Sequence, residues 1–163
     1  MTVPGEAPAG QNPPEGDKQL LPPFVLLGAL VAMGALHQLA PGPEIVPGPW
    51  NRLGWLGVAF GLAMAVHIDR VFKRHDTTIK PHEPTTTLVT DGPYAWSRNP
   101  IYFGMVLALA GVAVVLGTAT PWLAIPGFAW LIQRRFIEME EQKLEAAFGD
   151  AYRAYKARVR RWI

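Results

Sequence analysis

The sequence predicts an all-α, polytopic membrane protein with about four transmembrane helices and a C-terminal amphipathic cytoplasmic helix. Charged residues make up only 17% of the chain, below the quarter that is usual for soluble domains. The missing charge is concentrated in long uncharged runs, and one of them extends from Arg98 to Arg134. Such runs can cross a bilayer as helices, because a helix satisfies its own backbone hydrogen bonds.

The first two predicted spans occupy the N-terminal half of the chain. Residues 20–40 contain no Asp, Glu, Lys or Arg and are long enough for one spanning helix. The second span covers about 50–72, where glycines on one helical face allow a neighbouring helix to approach closely: Gly54, Gly57 and Gly61. Residues 1–18 are rich in Pro and Gly and are expected to be a disordered tail, which leaves 19–163 as a single domain.

The uncharged run after Arg98 is too long for one untilted span. Gly117-Thr118-Ala119-Thr120-Pro121 breaks it, so we expect the last two spans to form a tight helical hairpin. From Arg134 the chain becomes a charged, amphipathic helix that is interrupted at Gly149. The basic residues of its second half are expected to meet anionic lipid: Arg153, Lys156, Arg158, Arg160 and Arg161.

Most cations lie in two segments, the loop over residues 73–98 and the tail after Arg134. By the positive-inside rule both segments, and with them both termini, face the cytoplasm. We therefore expect an integral protein of a bacterial or archaeal cytoplasmic membrane.

The composition also limits which kinds of functional site and which partners the chain can have. The sequence has no cysteine, which excludes disulfides, thiolate metal sites and a thiol nucleophile within it. Its four histidines lack metal-ligand spacing, so no metal is expected. A formal net charge of +2 gives no reason to expect nucleic acid as a partner. The expected partners are membrane lipid and a small lipophilic molecule from the bilayer, and the sequence predicts no oligomeric state.

The segment before the third span concentrates functional side chains. Asp91-Gly92-Pro93 is a turn, because Gly accepts positive φ and Pro fixes the next φ. Asn99-Pro100 is a second break, because Pro suits the first turn of a following helix. Tyr94, Arg98 and Tyr102 therefore lie at the mouth of a helix whose first amides lack partners. Such a mouth suits an anionic group.

A second block of polar and aromatic residues follows in the C-terminal helix: Glu140, Glu141, Leu144, Phe148, Gly149, Tyr152 and Tyr155. Together with Gly92-Pro93-Tyr94 and Arg98-Asn99-Pro100-Ile101-Tyr102, this block resembles the isoprenylcysteine carboxyl methyltransferase family and its phospholipid methyltransferase-like relatives. The resemblance covers the C-terminal half. It implies an integral membrane methyltransferase that uses S-adenosyl-L-methionine. The implied acceptor is lipophilic: an isoprenylcysteine carboxylate, a phospholipid or another small lipophile.

The resemblance also implies site residues. The candidates for cofactor binding are Thr87, Leu88, Val89, Tyr94, Asn99, Pro100, Ile101, Tyr102, Glu140 and His82. The candidates for catalytic roles are Arg98, Glu141 and Arg135. The family's substrate-binding Arg is replaced here by Phe136, and Arg135 lies one residue earlier, on a different side of the helix.

These residue types suit methyl transfer from a sulfonium. The displacement needs an aligned donor and acceptor and no covalent intermediate. Carboxylates such as Glu140 and Glu141 complement the donor's positive groups. The aromatic faces of Tyr94 and Tyr102 offer cation–π contacts, and the helix mouth at Pro100 can hold the methionine carboxylate.

Two other functions stay open. A NADPH-dependent membrane reductase of the sterol-reductase type has a similar Arg-x-Pro-x-Tyr element, although Met105 stands here where a Glu often follows. A non-enzymatic membrane subunit would use the glycine stripe of the second span as an oligomer interface. Each candidate also has a structural explanation: Glu140 and Glu141 as solvated surface acids, and Arg98 as a cation reaching lipid phosphates.

Overall fold

The computed structural model describes residues 21–74 and 88–163, and throughout these ranges the regular structure is helical. The expected disordered tail, Thr87 and His82 lie outside the described residues. The α-helices are α1 (Pro22–Leu39), α2 (Gly54–Arg74), α3 (Pro100–Leu116), α4 (Ala124–Ile132) and α5 (Glu138–Arg158). The all-α prediction is confirmed for this part of the chain. The β-type pairing found in these ranges is an isolated bridge between Glu44 and Thr118.

Proline and glycine set the helix ends as the sequence predicts. α3 begins at Pro100, and Asn99 before it has a non-helical backbone (φ −131°, ψ 53°). α3 ends where Gly117 adopts φ 76°, a left-handed conformation that side chains disfavour. The chain then passes through a 3₁₀ turn, Thr120–Leu123, into α4. The predicted break in the long uncharged run is therefore present.

Three of the described helices, α1, α3 and the short α4, are apolar along most of their length. α1 is long and apolar enough to cross a membrane, and α3 is a shorter apolar helix of 17 residues. α2 carries polar residues at its C-terminal end, including the exposed Lys73–Asp69 ion pair at 2.6 Å. Judged helix by helix on length and composition, α1 alone among the described helices meets the criterion for a span.

α2 and α3 pack backbone against backbone through glycine. A Cβ on Gly61 would lie 2.5 Å from the carbonyl oxygen of Gly104, and a Cβ on Gly111 would lie 2.5 Å from that of Gly54. Neither position has room for a side chain, so the predicted close helix approach is confirmed. Because α3 occupies this stripe within the same chain, the stripe cannot serve as the oligomer interface that a non-enzymatic subunit would need.

The core lies between α1, α3 and α4, where Met33, Leu109 and Ile132 are fully buried. At one end of the bundle, the loop after α1 covers the turn after α3: the amides of Ile45 and Val46 both donate to the Gly117 carbonyl, at 2.8 and 3.0 Å. The first turn of α3 therefore lies at the opposite end.

The connection from α4 to α5 is a continuous helix with a change of register. Residues Gln133–Ile137 form a π-helical turn. One additional residue in a turn rotates everything that follows by about 100° relative to an uninterrupted α-helix. α5 then bends at Gly149 (φ 49°, ψ −120°), which confirms the interruption predicted there.

Candidate active site

The two sequence blocks meet at the first turns of α3 and α5. The Tyr102 hydroxyl donates a 2.6 Å hydrogen bond to Oε1 of Glu140, and the ring of Tyr102 is only 4% exposed. A second bond joins the blocks where the Tyr155 hydroxyl donates to the carbonyl oxygen of Tyr94 at 2.8 Å. Segments about 40 residues apart in sequence thus form one site.

Glu140 is a half-buried carboxylate, and one of its two oxygens has a hydrogen-bond donor among the described residues. Burial raises its pKa above the ordinary value, and the opposing effects of the Tyr102 hydrogen bond and of Lys143 do not cancel that shift. Oε1 accepts from Tyr102, whereas no described residue donates to Oε2. A half-buried carboxylate with an oxygen that no described residue occupies favours a cationic or N–H-bearing ligand.

Glu141, the next residue, has a different environment. It is 6% exposed and lies between two guanidinium groups. Nη2 of Arg98 lies 2.9 Å from Oε1, and Arg161 donates from Nε to Oε1 at 3.1 Å and from Nη2 to Oε2 at 2.7 Å. Burial acts to raise the pKa of Glu141, but the Arg161 hydrogen bonds and the Arg98 charge outweigh it, so this pKa lies below its ordinary value.

Arg98 is also built into this cluster. Its side chain is 9% exposed, and besides Glu141 it contacts the backbone: Nη1 donates to the Lys156 carbonyl at 3.1 Å. Its Nε is buried and has no hydrogen-bond partner in the part of the chain that the structure describes. The solvated-acid explanation for Glu141 and the lipid-phosphate explanation for Arg98 are therefore wrong, because both groups are withdrawn from solvent and paired.

The mouth of α3 presents unpaired backbone donors. The Asn99 side chain does not cap the helix. Its Nδ2 donates to the Arg161 carbonyl at 3.0 Å, and the backbone N–H of Asn99 donates to Ser97 Oγ at 3.1 Å. Among the described residues, no acceptor pairs with the amides of Ile101 and Tyr102. These N–H groups, at the positive end of the helix dipole, suit a carboxylate or another anion.

Tyrosine hydroxyls surround this mouth. Burial, followed by the charge of Glu140, raises the pKa of Tyr94 well above its ordinary value. Burial likewise raises the pKa of Tyr155, and it raises that of Tyr152 to about 12. These three tyrosines therefore remain neutral near pH 7. Their hydroxyls can donate hydrogen bonds, and their rings offer aromatic surfaces.

Other predicted residues lie apart from this geometry. Val89 is buried and Leu88 is half-buried in the segment that leads into the site. Arg135 is exposed on the π-helical turn, and no hydrogen bond or ion pair of the described residues links it to Arg98 or Glu141. Its catalytic role stays a prediction, as do the roles of Thr87 and His82.

The structure adds Arg161 to the site. The prediction that Arg161 meets anionic lipid is wrong, because its guanidinium pairs with the buried carboxylate of Glu141. Arg153 and Lys156 are exposed and pair with Glu145 at 3.7 and 3.3 Å, so their contact with lipid stays a prediction. Arg161 has no periodic relation to Glu141, 20 residues away, so spacing could not reveal the pair.

Comparison with known proteins decides the family. The model of the phospholipid methyltransferase family matches residues 50–151, more than half of the chain. The chain belongs to the phospholipid methyltransferase family. The matched segment includes α2, α3, α4 and both glutamates of the site.

Curated relatives agree with this family. A mouse protein-S-isoprenylcysteine O-methyltransferase is 39% identical over 120 residues, which cover 72% of this chain and 42% of the mouse protein. The enzyme of the same name from Schizosaccharomyces pombe is 36% identical over 72 residues, 44% of this chain and 30% of that protein. A Haemophilus influenzae protein named only as uncharacterized is 40% identical over 63 residues, 39% of this chain and 100% of its own length.

The chain thus spans less than half the length of the two isoprenylcysteine methyltransferases. No solved structure matches it significantly. Membership of a methyltransferase family favours methyl transfer over the reductase alternative.

Proposed function

We propose that the chain is an integral membrane methyltransferase that takes its methyl group from S-adenosylmethionine and transfers it to a lipophilic acceptor. The observation that carries this proposal is the contact of Tyr102 with Glu140 at the mouth of α3. In a chain of the phospholipid methyltransferase family, this contact brings a half-buried carboxylate to helix amides, and among the described residues neither Oε2 of Glu140 nor these amides have a partner.

The groups at this mouth fit the charges of the donor, which has a positive sulfonium and amino group and a negative carboxylate. Glu140 would hold a positive group through its available Oε2, because no described residue competes for that oxygen. The amides of Ile101 and Tyr102 would hold the carboxylate. Tyr94 and Tyr102 would offer aromatic surface to the sulfonium.

When bound, S-adenosylmethionine supplies an electrophilic methyl group. The residues of the chain contribute orientation and charge complementarity. Tyr102 fixes the Glu140 carboxylate by a short hydrogen bond, and the Arg98–Glu141 pair fixes the segment before α3 against α5. Aligned reactants account for much of the catalysis of a displacement that needs no covalent intermediate.

The proposal includes four membrane spans. These are α1, α2, α3 and the continuous helix through α4, with α3 and α4 as a hairpin and α5 on the cytoplasmic side. Outward-facing apolar side chains support a lipid-facing surface, among them Val31 on α1 and Leu56 and Leu62 on α2, each at least 65% exposed. An acceptor dissolved in the bilayer would then enter between helices, whereas the donor would enter from the cytoplasm.

Equilibrium binding to the purified protein in detergent tests the proposal. We expect saturable binding of S-adenosylhomocysteine and none of NADPH. Transfer of a labelled methyl group from S-adenosylmethionine to a membrane lipid extract then identifies the class of acceptor. Binding of NADPH without binding of S-adenosylhomocysteine would support the reductase, and binding of neither would contradict both enzymes.

A further inference from the structure

We propose that the C-terminal segment Val159–Trp162, here called the C-terminal strap, holds the two sequence blocks in register, with Arg161 as a positioning residue. The consequence for donor binding rests on the proposed function. The geometry of the strap does not.

The strap leaves α5 and returns to the mouth of α3. Val159 is extended (φ −116°, ψ 130°), which ends the helix. The next two carbonyl groups are then used by the segment before α3: the Arg160 carbonyl accepts from the Arg98 amide at 2.9 Å, and the Arg161 carbonyl accepts from Asn99 Nδ2 at 3.0 Å. The strap therefore pairs with the two residues that immediately precede Pro100.

Two strap side chains reach different elements. Arg161 donates two hydrogen bonds to Glu141 in the first turn of α5. The Trp162 indole Nε1 donates to Oε1 of Gln133 at 3.1 Å, at the start of the π-helical turn, and its ring packs against the apolar core. The strap thus connects the α3 mouth, the π-helical turn and the start of α5.

The groups held by the strap are direct neighbours of those proposed to contact the donor. Asn99 precedes the helix whose amides at Ile101 and Tyr102 have no acceptor among the described residues, and Glu141 follows Glu140. Misplacement of a binding group by about 1 Å can reduce a rate by about 10²-fold. By fixing Asn99 and Glu141 together, the strap sets the distance between the amides and the Glu140 carboxylate.

Removal of Arg161 is a selective perturbation, because Glu141 retains Arg98 as a partner at 2.9 Å. The carboxylate is not left as an unpaired buried charge, a change that costs far more than the loss of one of two partners. We therefore expect Arg161→Ala to fold and to release the strap. Arg161→Lys keeps the charge without the two-pronged geometry and should be intermediate.

Hydrogen–deuterium exchange and binding of S-adenosylhomocysteine test the proposal together. Arg158→Ala is the matched control, because it removes one exposed cation from the same tail and leaves the strap contacts intact. We expect Arg161→Ala to accelerate exchange in a peptide covering 94–103, where the Arg98 amide is protected by Arg160, and to weaken binding about tenfold. Arg158→Ala should match the parent in both measurements.

The outcomes separate the strap from the proposed function. If the parent protein does not bind S-adenosylhomocysteine, the proposed function fails, and exchange at 94–103 still tests the strap. Unchanged exchange in Arg161→Ala would overturn the strap. Faster exchange with parental affinity would overturn the positioning role. If Arg161→Ala does not fold, the same comparison is made between Arg161→Lys and the parent.

Discussion

Adjacent glutamates in α5 have opposite environments at this site. Successive residues on an α-helix point about 100° apart, so Glu140 faces Tyr102 while Glu141 faces Arg98 and Arg161. Burial raises the pKa of Glu140, whereas the two arginines hold that of Glu141 down. Within the described ranges, Glu140 keeps one oxygen without a donor, whereas both oxygens of Glu141 are paired. This difference favours ligand binding by Glu140 and a positioning role for Glu141.

Substitution of Glu140 by Gln preserves shape and removes the charge proposed to hold the donor. A charge-assisted hydrogen bond contributes roughly 1.5–3 kcal/mol, so affinity for S-adenosylmethionine should fall by about one to two orders of magnitude. Glu145→Gln is the control, because Glu145 lies on the same helix and pairs with the exposed cations Arg153 and Lys156. Binding measured by calorimetry in detergent should change little for the control.

Comparison of two ligands sharpens this measurement. S-adenosylhomocysteine lacks the sulfonium charge but keeps the amino group. If Glu140 faces the sulfonium, Glu140→Gln weakens S-adenosylmethionine more than S-adenosylhomocysteine; if it faces the amino group, both weaken equally. Parental affinity of Glu140→Gln for both ligands would place the donor elsewhere.

At the scale of elements, two features give the site its shape. The glycine contact of α2 with α3 fixes the helix that carries Pro100 and Tyr102. The π-helical turn Gln133–Ile137 changes the direction in which α5 presents its glutamates. π-helical turns inside α-helices often occur at functional sites, which agrees with the position of this one beside Glu140.

The close contact of α2 with α3 predicts that a side chain larger than that of glycine destabilises the protein. Gly61→Ala should lower the free energy of unfolding by about 1–3 kcal/mol, because its Cβ would lie 2.5 Å from the Gly104 carbonyl oxygen and 2.8 Å from Cβ of Ala108. Gly28→Ala in α1 is the matched control, since a Cβ there meets nothing within 4 Å. Unfolding in detergent should separate the two variants, and equal stability would contradict tight packing of α2 on α3.

For the whole molecule, the sequence predicted elements better than long-range contacts. Uncharged runs, prolines and glycines locate α1, α2 and α3 correctly because hydrophobic length and backbone conformation are local properties. The family pattern brought Glu140 and Tyr102 together as candidates, and they lie in direct contact. Arg161 was missed, because its pairing with Glu141 depends on a chain reversal after Val159 that no local pattern encodes. The π-helical turn was missed for a related reason, since its residues, Gln133 to Ile137, also suit an ordinary helix.

The proposed membrane orientation follows from the two ends of the bundle. The loop after α1 and the turn after α3 contact each other at one end, through Ile45 and Gly117, while the candidate site and the basic tail lie at the other. The positive-inside rule assigns the basic end to the cytoplasm. Residues at opposite ends should therefore react from opposite sides of the membrane.

Single-cysteine labelling tests this orientation cleanly, because the chain contains no cysteine of its own. Glu44→Cys places a thiol in the exposed loop after α1, and Asp150→Cys places one on α5, where the native side chain is 98% exposed. A membrane-impermeant maleimide added to intact cells should label Glu44→Cys and leave Asp150→Cys unlabelled. In inverted vesicles the pattern should reverse, and after permeabilisation both variants should react.

Labelling of both variants from the same side would contradict an arrangement in which α1, α2, α3 and the α4 helix all cross the membrane. Exchange of the two patterns would keep the four spans and place the active site on the outer face.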